Sequence, residues 1–345
     1  RSVIYDPDAG WAYRPGYQGV WEFLEYRHTV KINALGLRDD EIGPKIRPRI
    51  LFIGDSFVFG LGVEREDTFV KGVEDRLNKS GLMVECINGG RIGGAGQVYR
   101  HYARKYVPLL APDLVVLCPF SENDVLETAV FTETDPAIYE NRGGEVYVGG
   151  RPLARERQFA HGPLFRASAL YRFLRLKLGP FSIYRNKQVA RSEWFDPYLR
   201  DEPDRIRWAS MMLLKCFDEI AGLCSERDSA FALVLIPSNV DSNPRLWKRM
   251  IARTEEGAAA YDRDKPFRTF GDHGKRRGWP VLNLKPAFEA GHPDRLYYRH
   301  DRHFNAAGHR LAAEEIAKFV MSDPALWAGL GDGAGSKGQE SEEWR

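Results

Sequence analysis

Cysteine is scarce in this sequence, net charge is nearly absent, and no apolar run is long. Four cysteines in 345 residues, at 86, 118, 216 and 224, are too few to frame a disulfide scaffold. Cys86 and Cys118 fall in strand-like apolar runs, where a thiol serves as a small buried hydrophobe, and no pairing stands out from the spacing. No apolar stretch approaches the roughly 20 residues of a membrane span, so this chain contains no transmembrane segment. Lys and Arg number 50 against 48 Asp and Glu, a net charge of +2. With no recognised binding motif beside that balance, a nucleic-acid partner is not expected. No internal repeat is visible. The chain starts at Arg1 without a methionine, as a trimmed or processed product would, so a leader or anchor could have been lost there. Cytoplasmic and exported locations both stay open.

What is present belongs to a globular protein: 43% hydrophobic and 28% charged residues, enough for one large or two ordinary domains. Residues 1–46 hold aromatic and glycine punctuation, then an alternating run from His28 to Ala34 that reads as a strand. This stretch is too short for a core of its own and is expected to pack as an elaboration on the main domain. From Arg49 the pattern becomes strand, helix, strand. Strands are expected at Ile50–Gly54, Met83–Ile87, Leu114–Pro119, Phe231–Ile236 and Val281–Leu284. Helices are expected at Thr68–Asn78, Val98–Leu109 and Asp204–Ser225, and from Asn305 to Val320. Alternation of this kind implies parallel strands joined by right-handed helical crossovers, an α/β fold. The domain is therefore placed at 47–326, with an inserted, cap-like segment at 127–203. The segment includes a hairpin around Gly143–Gly150 and an apolar and basic helix, Leu164–Leu178. That helix reads either as a buried stripe with solvated arginines or as a lid over an acidic or amphipathic ligand. Residues 142–200 carry twelve Arg and Lys against four acids, so this part is +8 and the remainder −6. The glycine-rich, charged stretch 327–345 is expected to be a disordered tail.

The stretch that organises the chain is Ile50-Leu51-Phe52-Ile53-Gly54-Asp55-Ser56-Phe57-Val58-Phe59-Gly60. An apolar strand that stops at Gly-Asp-Ser delivers a hydroxyl to the carboxyl edge of a sheet, where open α/β folds place their sites. A serine becomes a nucleophile when a neutral imidazole can take its proton, a carboxylate orients that imidazole, and donors await the oxyanion. Candidates for each role follow successive strands. Ser56 follows the first, and Gly93 lies in the glycine-rich turn Asn88–Gly96 after the second. Asn123 lies in Ser121-Glu-Asn-Asp after the third, and Asp301 and His303 lie in His300-Asp-Arg-His-Phe-Asn before the last helix. Each residue also has a plainer role. Ser56 could cap a helix, Gly93 could be a turn glycine, Asn123 an Asx-turn residue, and His303 a mere neighbour of the helix capped by Asn305.

That ordered set resembles the SGNH/GDSL hydrolase superfamily, from about Arg49 to Val320. The resemblance implies a flavodoxin-like three-layer sandwich on a five-stranded parallel sheet of order 2-1-3-4-5, with a shallow, solvent-accessible site and no cofactor or metal. It implies Ser56 as nucleophile, His303 as general base and acid, and Asp301 as its orienting acid. The oxyanion hole would be the Ser56 and Gly93 N–H groups and the Asn123 amide. Two departures stand out. Ser121 replaces the usual glycine of the third block, and Asp301-Arg302-His303 replaces the commoner Asp-x-x-His, with His300 where the acid would fall and Asp294 nearby. The shorter spacing resembles the branch acting in polysaccharide O-acetylation.

The implied activity is serine esterase chemistry on a short acyl oxygen ester, acetyl foremost, of a carbohydrate or related small molecule, the substrate being anionic if the basic insertion faces it. Two alternatives are an O-acyltransferase using the same acyl-enzyme and a non-catalytic carbohydrate-binding protein. The group His300, Asp301, His303 and His309 has metal-like content, but two ligands would diverge if Asp301 serves His303. The glycines from 89 to 96 follow the second strand, and no acid ends the next strand as a dinucleotide site requires. Oligomeric state, acyl length and acceptor are not legible.

Overall fold

The computed structural model describes residues 1–23, 25–133, 139–148, 150–153, 168 and 193–331. The N-terminal part forms two antiparallel pairs, β1 (Val3–Asp6) with β2 (Gly10–Tyr13) and β3 (Gln18–Glu22) with β4 (Arg27–Lys31). The α/β core follows as β5 (Arg49–Gly54), α1 (Ser56–Phe59), α2 (Phe69–Lys79), β6 (Glu85–Gly90), α3 (Gly96–Leu110), β7 (Leu114–Cys118) and α4 (Asp124–Glu133). Three short strands come next, β8 (Tyr139–Arg142), β9 (Glu145–Val148) and β10 (Arg151–Pro152). The core resumes with α5 (Asp204–Ser225), β11 (Ala230–Leu235), α6 (Asn239–Ser242), α7 (Pro244–Ile251) and α8 (Lys265–Arg276). It ends with β12 (Val281–Asn283), α9 (Lys285–Ala290), α10 (Ala306–Ser322) and α11 (Pro324–Gly331).

The central sheet runs β12-β11-β7-β5-β6, and every neighbouring pair in it is parallel. Counted along the chain, that is the order 2-1-3-4-5. The physical basis is visible in β5, the middle of the first crossover pair. Successive side chains of a strand point to opposite faces, and here both faces are covered, so both must be apolar. Ile50 and Phe52 join the cluster of Val70, Val73 and Leu77 from α2 and Ala312, Ile316 and Val320 from α10. Leu51 and Ile53 join Tyr99, Ala103 and Val107 from α3 and Leu213, Phe217 and Ile220 from α5. Each such side chain, fully buried, stabilises the fold by about 1.5–3 kcal/mol relative to exposure. All four cysteines are buried and unpaired.

The outer side of β6, at the edge of the sheet, is met by side chains. Cys86 N–H donates to Glu74 and Cys86 C=O accepts from Lys71, both on α2. Asn88 N–H donates to Asp39, and Gly90 N–H donates to the side chain of Asn88.

The structure differs from the sequence expectation at both ends. Residues 1–31 hold four strands where one was expected, and the strand read as His28–Ala34 is Arg27–Lys31. Trp11, Tyr13, Trp21, Val30 and Ile32 pack with Phe59 and Leu61, next to the Ser56 turn. Tyr13 and Trp21 stack on Phe59 at 4.9 and 5.5 Å between ring centroids. At the other end, a helix stands where a tail was expected from residue 327. Helix α11 runs Pro324–Gly331 and buries Leu326 and Leu330 in the core, and residues beyond 331 lie outside the described residues. The hairpin expected near Gly143 is β8–β9, and α4 runs across the expected insertion boundary at 127. The helix read at 164–178 lies outside the described residues.

Candidate active site

The geometry begins with two glycines. A Cβ on Gly54 would lie 2.4 Å from Val58 Cγ2, and one on Gly90 would lie 2.0 Å from the Phe59 backbone nitrogen. Only glycine at both places lets the chain turn back at the end of β5 and lay the single turn of α1 across the end of β6. Asp55 caps that turn by accepting the Phe57 N–H, and Asn88 reaches across to donate to Val58 C=O at 2.8 Å. Ser56 is thereby held at the first position of a helix, where a backbone N–H has no intrahelical acceptor.

Ser56 Oγ lies 2.7 Å from His303 Nε2, and Asp301 sits on the opposite ring nitrogen, Nδ1. The imidazole packs against Phe57, 4.9 Å between centroids, and His303 is partly exposed at 22%. Burial alone would lower the His303 pKa, but the Asp301 charge and hydrogen bond outweigh it and hold the imidazole above its ordinary value. Burial would likewise raise Asp301, but the His303 charge and hydrogen bond hold it below the ordinary carboxylate value. The acid that meets His303 is therefore Asp301. Asp294 instead accepts from Asn243 Nδ2 at 2.9 Å. His309 lies on the buried face of α10, where its Nδ1 accepts the Phe69 N–H and burial pushes its pKa down to about 3. It does not join a ligand set with His303.

Of the expected oxyanion donors, the Asn123 amide is brought beside the glycine turn, through a residue not expected there, Glu127. Asn123 Nδ2 donates to Glu127 Oε1 at 2.7 Å, and the N–H of Gly94 donates to Glu127 Oε2 at 2.5 Å. A single carboxylate thus holds the Asn123 amide and an N–H of the glycine turn. Gly93, in the left-handed region at φ 67°, presents its C=O to Arg91 Nη1 at 2.8 Å. Arg91 is itself buried over the Trp11 ring and donates to Ala9 and Trp11 C=O, which anchors the turn to the N-terminal strands.

The Ser121 departure has a physical account. Its hydroxyl donates to buried Asp241 at 2.5 Å, and the Tyr198 hydroxyl donates to the same oxygen at 3.0 Å. Burial pushes the Asp241 carboxyl up to about 7, against the lowering effect of those hydrogen bonds. A glycine at 121 would remove one of the two donors. The next acid, Asp124, accepts from Tyr99 Oη and Phe120 N–H and closes the turn that presents Asn123.

Sequence reasoning missed Glu127 and Glu25. Glu127 stands four residues after Asn123 on α4, a spacing that puts two side chains on one helix face, and that was the available signal. Glu25 accepts the N–H groups of Arg299, His300 and Asp301 at 3.0, 2.7 and 2.7 Å. It lies 274 residues from Arg299 and carried no local signal. Among the described residues, three ligand-type side chains converge at Asp6, Asp8 and His101. There each imidazole nitrogen already faces a carboxylate, at 3.6 and 3.9 Å, which is an ion-pair arrangement.

Comparison with known proteins gives one match at the level of families. Residues 245–337 fit the model described as the SGNH hydrolase-like domain of acetyltransferase AlgX. The matched span holds Asp301 and His303 and does not include Ser56. No curated protein matches the sequence. Among solved structures, a crystal structure of TesA is 12% identical, with 81% of this chain and 99% of that chain covered and a TM-score of 0.45. An acetyl xylan esterase, AlAXEase, is 13% identical over 79% of this chain and 99% of its own, TM-score 0.43. A lipase/acylhydrolase from Enterococcus faecalis is 13% identical over 79% and 95%, TM-score 0.43. These are distant likenesses of fold.

Proposed function

We propose that this chain, whose residues 245–337 fit the model of an SGNH hydrolase-like domain, is an SGNH-type serine esterase that removes a short acyl group, acetyl foremost, from an oxygen ester of a carbohydrate or related small molecule. The observation that carries this reading is the 2.7 Å contact of Ser56 Oγ with His303 Nε2, with Asp301 on the other ring nitrogen. In this mechanism Ser56 Oγ attacks the ester carbonyl as its proton passes to His303 Nε2, and Asp301 stabilises the imidazolium. The carbonyl oxygen becomes an oxyanion that accepts from Ser56 N–H, the Asn123 amide and the glycine turn, with Gly93 the expected donor and Gly94 its neighbour on Glu127. Collapse breaks the bond to the alcohol, which leaves with the proton from His303. Water then adds to the acyl-enzyme, giving its proton to His303, and the free acid departs as Ser56 regains that proton.

The Glu127 carboxylate stands where the oxyanion must be received, so it has to leave Asn123 and Gly94 before attack. Both partners are hydrogen-bond donors, and a substrate carbonyl can replace it on them. Short acyl groups are supported by the acetyltransferase description of the matched family model. The test is labelling by a fluorophosphonate, with turnover of nitrophenyl acetate beside it. Ser56 is expected to take the label stoichiometrically, and Ser56→Ala to lose turnover by about 10⁴–10⁶-fold. A Ser56→Ala protein as active as the parent ends the proposal.

The same family description favours a second reading, O-acyl transfer, in which a sugar hydroxyl takes the place of water on the acyl-enzyme. The basic charge of residues 142–200 suits an anionic glycan acceptor. Donor ester mixed with oligosaccharide separates the two: acylated sugar supports transfer, and hydrolysis alone supports the esterase. Glu127 on the oxyanion donors is what a non-catalytic carbohydrate-binding role would point to, and labelling of Ser56 excludes that role.

A further inference from the structure

We propose that Glu25, on the turn between β3 and β4, is a positioning residue for the Asp301–His303 pair, and that the N-terminal strands thereby complete the active site. The inference rests on the reading of Ser56 and His303 as the reacting groups.

The loop that carries the pair is short and bent. Tyr298 N–H donates to His303 C=O at 2.9 Å and Arg302 N–H donates to Tyr298 C=O at 3.2 Å, closing a narrow turn from Tyr298 to His303. With one residue between acid and base, that residue must turn the chain sharply, and Arg302 does so in the left-handed region at φ 70°. A side chain with a Cβ occupies that region only at an energetic cost. Such a conformation persists only where its surroundings hold it.

Glu25 grips the segment immediately before it. Three consecutive N–H groups, of Arg299, His300 and Asp301, converge on its carboxylate. Hydrogen bonds to a charged acceptor are about twice as strong as neutral ones, and together these fix the orientation of three peptide planes immediately before the acid. The neighbouring side chain extends the grip. Tyr26 packs on Tyr298, 4.7 Å between ring centroids, and the Tyr298 hydroxyl donates to Gly62 C=O at 2.7 Å, in the chain that leaves α1. The buried Tyr26 hydroxyl lies beside the Asp301 carboxyl, outside ordinary hydrogen-bond geometry but close enough to favour its charged form. Glu25 touches neither Ser56 nor the His303 ring in any of these contacts. It acts through the backbone of the loop.

Loss of Glu25 would free the three N–H groups to water and remove one of the contacts that oppose relaxation of the loop. The Asp301 carboxylate would drift from His303 Nδ1, and the imidazole would lose both its orientation and its nearest negative charge. The other charged groups that face His303, Asp55 and Glu122, would remain. Misplacement of a reacting group by about 1 Å can cost 10²-fold in rate.

The experiment compares Glu25→Ala and Glu25→Gln with the parent chain in three measurements: kcat and KM on nitrophenyl acetate, the His303 pKa by NMR titration of the imidazole, and thermal unfolding. Glu25→Ala is expected to lower kcat by about 10- to 100-fold with KM nearly unchanged, and to lower the His303 pKa. Glu25→Gln keeps an acceptor oxygen and is expected to fall between parent and alanine variant in both. Arg302→Gly, added to Glu25→Gln, removes the left-handed strain and is expected to recover part of the lost kcat. A folded Glu25→Ala with parental kcat and parental His303 titration overturns the proposal. If Glu25→Ala does not fold, a Glu25→Gln protein identical to the parent in both readouts overturns it equally. The NMR titration needs no turnover, so it judges Glu25 even where the parent fails to take a fluorophosphonate, and that failure counts against the esterase reading alone.

Discussion

Ser56 and His303 meet at 2.7 Å, yet the two are held by different means. Ser56 stands on the central sheet. Its strand is buried from Arg49 to Gly54, its helix turn is capped by its own Asp55, and glycines at 54 and 90 set the approach of the backbone. His303 stands on a loop with one left-handed residue, packed on Phe57 and steadied by a carboxylate from the far end of the chain. Ser56 is placed by apolar burial, which is non-directional and spread over many residues. His303 is placed by a few directional polar contacts. Damage to the first side should appear as lost stability, and damage to the second as lost rate in a protein that still folds.

The largest effect is expected from Asp301→Asn. It leaves Ser56 and the sheet untouched and is expected to lower turnover by about 10⁴-fold, as loss of the orienting acid does in serine triads, with little change in unfolding temperature. The pH profile sharpens the test. His303 must be neutral to accept the proton, and Asp301 holds its pKa above the ordinary value. The acid limb of kcat/KM should therefore lie above pH 6.5 in the parent and move to lower pH in any residual activity of the variant. An acid limb that stays in place would mean that Asp301 does not govern His303.

Asn123→Ala comes next. It touches neither the Ser56 pedestal nor the His303 loop, and should cost about 10²–10³ in kcat if its amide receives the oxyanion. Glu127→Ala is the counterpart of opposite sign. With the carboxylate gone from Asn123 and Gly94, kcat/KM is expected to rise by less than tenfold, and a fall would show that Glu127 is needed where it stands.

The smallest effect belongs to the pedestal of the third block. The Asp241 carboxyl is held up at about 7 by burial, against 3.8 ordinarily. Between those values the folded chain binds a proton that the unfolded chain has released, so stability falls as pH rises from about 4 to about 7. Asp241→Asn removes that slope. Its melting temperature, compared with the parent, should improve as pH rises through this window, with activity unaltered. A pH-independent difference would rule out Asp241 as the source.

What was legible in the sequence follows the same division. The five strands and the long helices could be read because burial on both faces demands unbroken apolar runs at fixed spacing, as in Ile50–Ile53 and in Phe69, Val70, Val73 and Leu77. Ser56, Asn123, Asp301 and His303 could be named because each follows a strand end in chain order. The first three N-terminal strands were missed because they are four or five residues long and are seated by burial around Phe59 and Leu61, a tertiary contact that no local pattern announces. The C-terminal helix was missed because glycines at 329 and 331 outweighed the Leu326–Leu330 pair, four apart, that in fact seats it. Glu25 reads as one more surface acid, since its value lies wholly in a loop met late in the chain.

The side chains along β6 carry a consequence for assembly. A sheet edge normally offers alternate peptide groups as a template on which another strand can dock. Here Lys71, Glu74, Asp39 and Asn88 already occupy the outward positions of Cys86, Asn88 and Gly90. A second chain could extend the sheet on this side only by displacing side chains, three of them charged, from peptide groups they satisfy. The margin of the sheet beside β5 is thereby protected against β-augmentation and edge-to-edge aggregation.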